Sequence, residues 1–113
     1  MKTYKFGILA EKIAIIFLFL KGYKILQRRY KTHFGEIDII AKKSQNIIFI
    51  EVKARKKKTN IEEILTIHQI NRIKSAGEFF ISRNPQFSNH NLRFDFIEID
   101  RLFLPKHYPN FVS

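Results

Sequence analysis

Between Glu36 and Ala54 the chain reads EIDIIAKKSQNIIFIEVKA, two runs rich in Ile and Val around the polar segment Lys43-Ser44-Gln45-Asn46. Such runs flanking a short polar turn form a β-hairpin. A loop centred on Ser44-Gln45 pairs Lys43 with Asn46. Counting back along both strands then sets Asp38 opposite Glu51 and Glu36 opposite Lys53. Residues two apart share one face of a strand, so Asp38, Glu51 and Lys53 project from the same side. Like charges directly opposite each other destabilise a sheet, so this hairpin needs a compensating group. Two are open. Lys53, Arg55 or another base could neutralise the pair structurally, or a divalent cation could sit between the carboxylates, as Mg²⁺ does when it also binds phosphate oxygens. A lysine beside such a metal can position or deprotonate a water and stabilise developing charge.

Around the hairpin, the pattern predicts a helix from about Phe6 to Leu20, apolar nearly all round after Glu11. Such a helix must be covered on more than one side, by a sheet plus another element or subunit. Gly22 suits its C-terminal stop. Tyr23–Tyr30 alternates as a first strand and Leu92–Asp100 as a last one. Asn60-x-x-Glu63 and Thr66-x-x-Gln69 each resemble a capping box, so a short turn from Ile61 gives way to a longer helix starting near Ile67. Ile70, Ile73, Ala76, Gly77 and Phe80 form its apolar stripe, and it ends before Pro85. The tail, with Pro105 and Pro109, reads as irregular. The order helix–strand–strand–strand–helix–strand implies an α/β fold, a mixed sheet with helices packed against it.

At 113 residues the chain is one domain, 1–113, with room for a single core. Its formal net charge is +11, from 21 Lys+Arg against 10 Asp+Glu. That much charge on a small domain favours a polyanionic partner, above all nucleic acid. There is no cysteine, which excludes disulfides and thiolate metal sites and fits a cytoplasmic setting. The apolar run Ile13–Leu20 falls well short of the roughly 20 residues of a membrane span. Lys21-Gly22 offers no small-residue cleavage site, so a buried helix is expected rather than a signal or anchor. A basic membrane-surface protein is a further reading, weakened by Glu11 and the near all-round apolar pattern.

Asp38 followed by Glu51-Val52-Lys53 resembles the D…ExK core of the PD-(D/E)XK nuclease superfamily, whose fold is restriction-endonuclease-like. More narrowly, GEIDII, FIEVKAR and RFDFIEI resemble the YraN-type family of small bacterial proteins, to which archaeal Holliday-junction resolvases are related. GYKIL and the closing HYPNF extend the likeness over nearly the whole chain. The resemblance implies a restriction-endonuclease-like mixed central sheet flanked by helices and a DNA endonuclease dependent on Mg²⁺ or Mn²⁺, favouring branched substrates. It makes Asp38 and Glu51 metal ligands with the Val52 carbonyl a third, Lys53 the catalytic lysine, and Glu11 the first-helix glutamate completing the site. The chain departs from the pattern at Ala10, where a Gly is usual, at Arg29, where an Asn is expected, and at His68, where a Lys accompanies Gln69. The loop after Arg55 also looks shortened and lacks its usual Gly. The runner-up is a module of the same fold that binds nucleic acid without cutting.

Other residues carry two readings each. His68 and Gln69 can contact substrate, or serve as helix-start and capping residues. Arg93 and Asp95 lie on one strand face and can pair with each other or line the site. Arg55, Lys56, Lys57 and Lys58 are expected to contact backbone phosphates, or to form a solvated loop. His33, His90 and His107 lack the spacing of a zinc site, and Phe79 and Phe80 read as core. A homodimer would cover the apolar first helix.

Overall fold

The computed structural model describes residues 3–55 and 66–112. Helix α1, Thr3–Leu20, precedes strands β1 (Lys24–Lys31), β2 (Glu36–Lys43) and β3 (Asn46–Ala54). Helix α2 (Ile67–Arg83) and a 3₁₀ turn (Pro85–Phe87) then lead to β4 (Asn91–Ile99) and β5 (Pro105–Val112). The expected turn from Ile61 and the cluster Lys56, Lys57 and Lys58 lie outside the described residues.

The five strands form one sheet in the order β1-β2-β3-β4-β5. Neighbours are antiparallel except β3 and β4, which run parallel and are joined through α2. A parallel pair requires such a crossover, and an αβ crossover covers one sheet face. The result is the mixed α/β sheet with helices packed on it that the element order implied.

Each face of the sheet has its own core. On one, Phe6, Ala10, Ala14 and Leu18 of α1 pack on Ile39, Ala41, Ile48, Ile50, Val52, Ile97 and Ile99. These helical positions recur every four residues, one stripe of a helix surface. On the other, Ala76 and Phe80 of α2 pack on Ile37, Ile40, Ile47 and Phe49. A Cβ on Gly77 would come within 3.0 Å of the Phe49 ring, so glycine allows α2 to settle directly onto that ring. Phe80 is core as expected, whereas Phe79 is only half-buried.

Three details differ from the sequence expectations or refine them. Among the described residues α1 buries one stripe, with Ile13, Ile15 and Phe17 packed at its margins, and leaves Ile16, Phe19 and Leu20 at 59%, 70% and 77% exposure. Its end is a Schellman motif: the Tyr23 N–H donates to the Leu18 carbonyl and the Gly22 N–H to that of Phe19, with Gly22 at φ +89. The tail expected to be irregular is a strand. Pro105 is its first residue and Pro109 lies where the β4–β5 register shifts, the two places where a strand tolerates proline.

Candidate functional site

The β2–β3 hairpin has the register its turn demands, from Lys43 opposite Asn46 to Ile39 opposite Ile50. There the backbone ladder ends, one position short of Asp38 and Glu51. The Asp38 Oδ2 instead accepts the Val52 N–H at 2.8 Å. A side chain has thus taken over a donor that the neighbouring strand would otherwise use. The N–H and C=O of a strand residue point the same way, so the Val52 carbonyl opens toward the same gap.

The other neighbour of Asp38 is also irregular. The pairs Arg28–Ile39 and Tyr30–Ile37 bracket Arg29 and Asp38, and Arg29 stands at φ +49. Left-handed backbone disfavours most L-residues but is tolerated by Asn, a physical reason for the Asn the resemblance expects here. Arg29 in turn binds Glu11, with Nε to Oε1 at 3.1 Å and the second nitrogen to Oε2 at 3.4 Å. Glu11 is therefore held by a base one strand over from Asp38, on the helix that covers the opposite sheet face from α2.

Glu51 records the confrontation that the sequence anticipated. Burial, then its hydrogen bond with Asp38 and the charge of that carboxylate, push its pKa up to about 9; Lys53 opposes the rise and Glu36 adds to it. Without a cation, Glu51 keeps its proton at neutral pH. Of the two compensating bases considered, Lys53 acts on Glu51 but does not neutralise it. Among the described residues no three His, Cys, Asp or Glu side chains cluster as a metal cage. The donors present, two carboxylates and a carbonyl, are hard oxygens of the kind Mg²⁺ accepts while keeping several waters, and the retained proton marks a charge such an ion would satisfy. The residues fit the group.

Beside the pair lies a cleft of about 150 Å³ lined by Gly35, Glu36, Glu51, Gln69, Arg72 and Ile73. Helix α2 supplies one wall because its capping box fixes where it starts: the Thr66 side chain accepts the Gln69 N–H, and Gln69 Oε1 accepts the Thr66 N–H. Gln69 is thus both a cap and a wall residue, while His68 is exposed and does not line the cleft. Arg72 was not singled out from the sequence. The available signal was its spacing of three from Gln69, which puts both on one helical face. Its Nε donates to the Phe34 carbonyl at 3.2 Å, tying α2 to the β1–β2 turn. Arg55 closes β3, its N–H donating to the Ile99 carbonyl.

Asp95 belongs to a different cluster, on the α1 face. Its Oδ1 accepts from Arg93 Nε at 2.9 Å and the Asn110 N–H at 2.8 Å. Its Oδ2 accepts from the second Arg93 nitrogen at 2.8 Å and His107 Nε2 at 2.7 Å. Lys21 Nζ lies 3.0 Å from His107 Nδ1; an ammonium can only donate, so Nε2 carries the imidazole proton toward Asp95. Arg93 also donates to the Tyr23 hydroxyl at 2.6 Å. Burial works to raise the Asp95 pKa, but the bonds from His107, Arg93 and Asn110 outweigh it and the net shift is downward. Arg93 and Asp95 pair with each other, one of the two readings expected for them. The segments GYKIL, RFD and HYPNF converge here.

Among the described residues no helix is long and apolar enough to cross a membrane. Residues 10–99 match the family described as Uncharacterised protein family UPF0102. A UPF0102 protein of Rhodopseudomonas palustris is 43% identical over 107 residues, 95% of this chain and 82% of its own length. One from Agrobacterium fabrum is 39% identical over 107 residues, 95% of this chain and 88% of its own. A solved EndoMS-dsDNA2 complex aligns at 18% identity and TM-score 0.46, covering 75% of this chain and 34% of that one. This chain spans about a third of that protein.

Proposed function

We propose that this chain, which belongs to the UPF0102 family, binds DNA and hydrolyses its phosphodiester backbone with a divalent cation held by Asp38, Glu51 and the Val52 carbonyl. One observation carries the reading: the hairpin forces two carboxylates together at a cleft, and Glu51 answers with a pKa near 9. Among the described residues Asp38 accepts the Val52 N–H, while Glu51 faces that carboxylate and Lys53 only partly offsets the rise in its pKa. A bound Mg²⁺ or Mn²⁺ would supply Lewis acidity and lower the pKa of a coordinated water.

The remaining roles fall to residues around the pair. Lys53, on the same strand face as Glu51 and within its electrostatic reach, orients the water and offsets charge building on the phosphoryl oxygens. Arg72 and Gln69, on the opposite wall, hold the substrate phosphate in place. Arg55 and the adjoining Lys56, Lys57 and Lys58 neutralise neighbouring phosphates, so affinity falls with salt. Glu11, tied to Arg29, acts on the site through that arginine beside Asp38.

A second reading, a DNA-binding module that does not cut, is favoured by the two-carboxylate count, since the described residues hold no three-acid cage. Incubating labelled linear and branched DNA with Mg²⁺, Mn²⁺ or EDTA separates them. Metal-dependent cutting that falls at least about 100-fold in Asp38→Ala, Glu51→Ala and Lys53→Ala, with DNA binding retained, is expected of the enzyme. Normal cutting by the Asp38 and Glu51 variants would overturn the site assignment; binding without cutting would favour the silent module.

A further inference from the structure

The turn joining β1 to β2 is built with care and decorated unusually. Thr32 and Gly35 exchange backbone bonds at 2.9 and 3.2 Å. The Thr32 hydroxyl donates to the Gly35 carbonyl at 2.9 Å and accepts the Phe34 and Gly35 N–H groups at 3.0 and 3.2 Å. That rigid frame presents His33 and Phe34 at its tip, where Gly, Asn, Asp or Pro are the usual occupants. The two rings lie 4.0 Å apart at 37°. Phe79 of α2 meets both edgewise or tilted, at 5.8 and 6.0 Å, and Arg83 covers Phe79 at 5.4 Å.

The rings are supported from beneath and open above. His33 is exposed and Phe34 is 39% exposed. Phe34 directly precedes Gly35 and Glu36 on the lip of the candidate cleft, and its carbonyl holds Arg72 of the same cleft. Lys31, Arg72 and Arg83 are all exposed around it. Aromatic faces interleaved with bases form the platform on which unpaired nucleobases stack while cations track the phosphates. Bases inside a duplex are stacked on both sides, and only its two end pairs have a free face, so a long duplex offers almost none per nucleotide.

We propose that the His33–Phe34 turn is a stacking site for an unpaired nucleobase, positioning single-stranded nucleic acid beside the Asp38–Glu51 cleft. The inference rests on the nucleic-acid reading above and adds to it the strand form that this edge of the cleft accepts. A platform fixed in this way loses little freedom when a base settles on it.

The chain contains no tryptophan, so Phe34→Trp places the only indole at the turn. Titrating that variant in EDTA with a short oligothymidylate should quench its fluorescence, whereas a blunt duplex at equal salt should not. Phe34→Ala should weaken oligothymidylate binding about tenfold, the worth of one base–aromatic stack, with duplex affinity unchanged. Equal quenching by both strand forms, no quenching by either, or a parallel loss of both affinities in Phe34→Ala would overturn the proposal; the last would mean the rings only brace the fold. Because no divalent metal is present, the outcome does not depend on cleavage. A protein that quenches but never cuts supports this site and sinks the hydrolytic reading; one that cuts with an unresponsive indole does the reverse.

Discussion

Two carboxylates on opposite faces of the same sheet have met opposite fates. Asp95 has both oxygens filled by protein donors: a guanidinium, an imidazole and a backbone N–H. Glu51 has its pKa pushed up to about 9 by burial and by the carboxylate it faces, and Lys53 does not offset the two. Asp95 is buried and Glu51 half-buried beside the cleft, and burial acts to raise both pKa values, so burial alone does not separate them. The difference lies in the partners. An acid whose lone pairs are all satisfied within the chain braces the fold, as Asp95 does for β4, β5 and Tyr23. An acid left short of cations is a place where something from outside can be bound.

Removing the brace should have the largest effect on stability. Asp95→Ala strands a half-buried guanidinium and a buried imidazole, at a cost of about 3–5 kcal/mol, read by urea or thermal unfolding in EDTA. A loss below about 1 kcal/mol would show that the cluster is not the structural counterpart described here.

The same measurement on Glu51→Gln should move the other way. A carboxyl whose folded pKa lies near 9 instead of 4.5 contributes stability that is fully present below about pH 4.5 and lost as pH rises toward 9. The metal-free wild type should weaken across that window, and Glu51→Gln should gain about 1–3 kcal/mol on it at pH 8 while matching it near pH 4. Asp95 has the opposite signature. Its lowered pKa contributes stability above its ordinary value of 3.8 that is lost as pH falls through the depressed folded value. A flat Glu51→Gln difference between pH 4 and pH 8 would break the contrast.

Thr66→Ala is the smallest change and tests a residue that serves both roles. Losing the cap should cost about 1 kcal/mol. It removes the acceptor of the Gln69 N–H but leaves the backbone N–H of residue 66 that Gln69 Oε1 accepts, so substrate affinity should fall only as far as the first turn of α2 frays. Unchanged affinity would show that the surviving bond from the residue-66 N–H is enough to hold Gln69 at the cleft.

Much of the site was legible because its determinants are local. The two-residue turn sets the hairpin register, so the meeting of Asp38 and Glu51 follows from counting. Thr66 and Gln69 announce the start of α2 in four residues. Less legible was β5, whose two prolines read as breakers until an edge position and a register shift made room for them. Apolar composition alone does not say which residues of α1 find neighbours within one chain, and among the described residues Ile16, Phe19 and Leu20 are exposed. Arg72 and the His33–Phe34 turn were missed because their significance rests on one another: the turn meets a helix far along the chain through the Arg72 bond to the Phe34 carbonyl and the packing of Phe79 on both rings.

Spacing along neighbouring segments was enough for β1 to β4, the hairpin register and the start of α2, and therefore for the collision of two negative charges. How that collision is resolved depended on contacts made across the fold. Asp38 turned to the Val52 N–H, α2 closed a cleft over Glu51, and His107 and the Asn110 N–H came in from β5 to join the neighbouring Arg93 on Asp95, with Tyr23 accepting from that arginine. Spacing dictates which neighbours must meet, whereas the long-range packing of both helices on the sheet dictates which buried charge finds a partner.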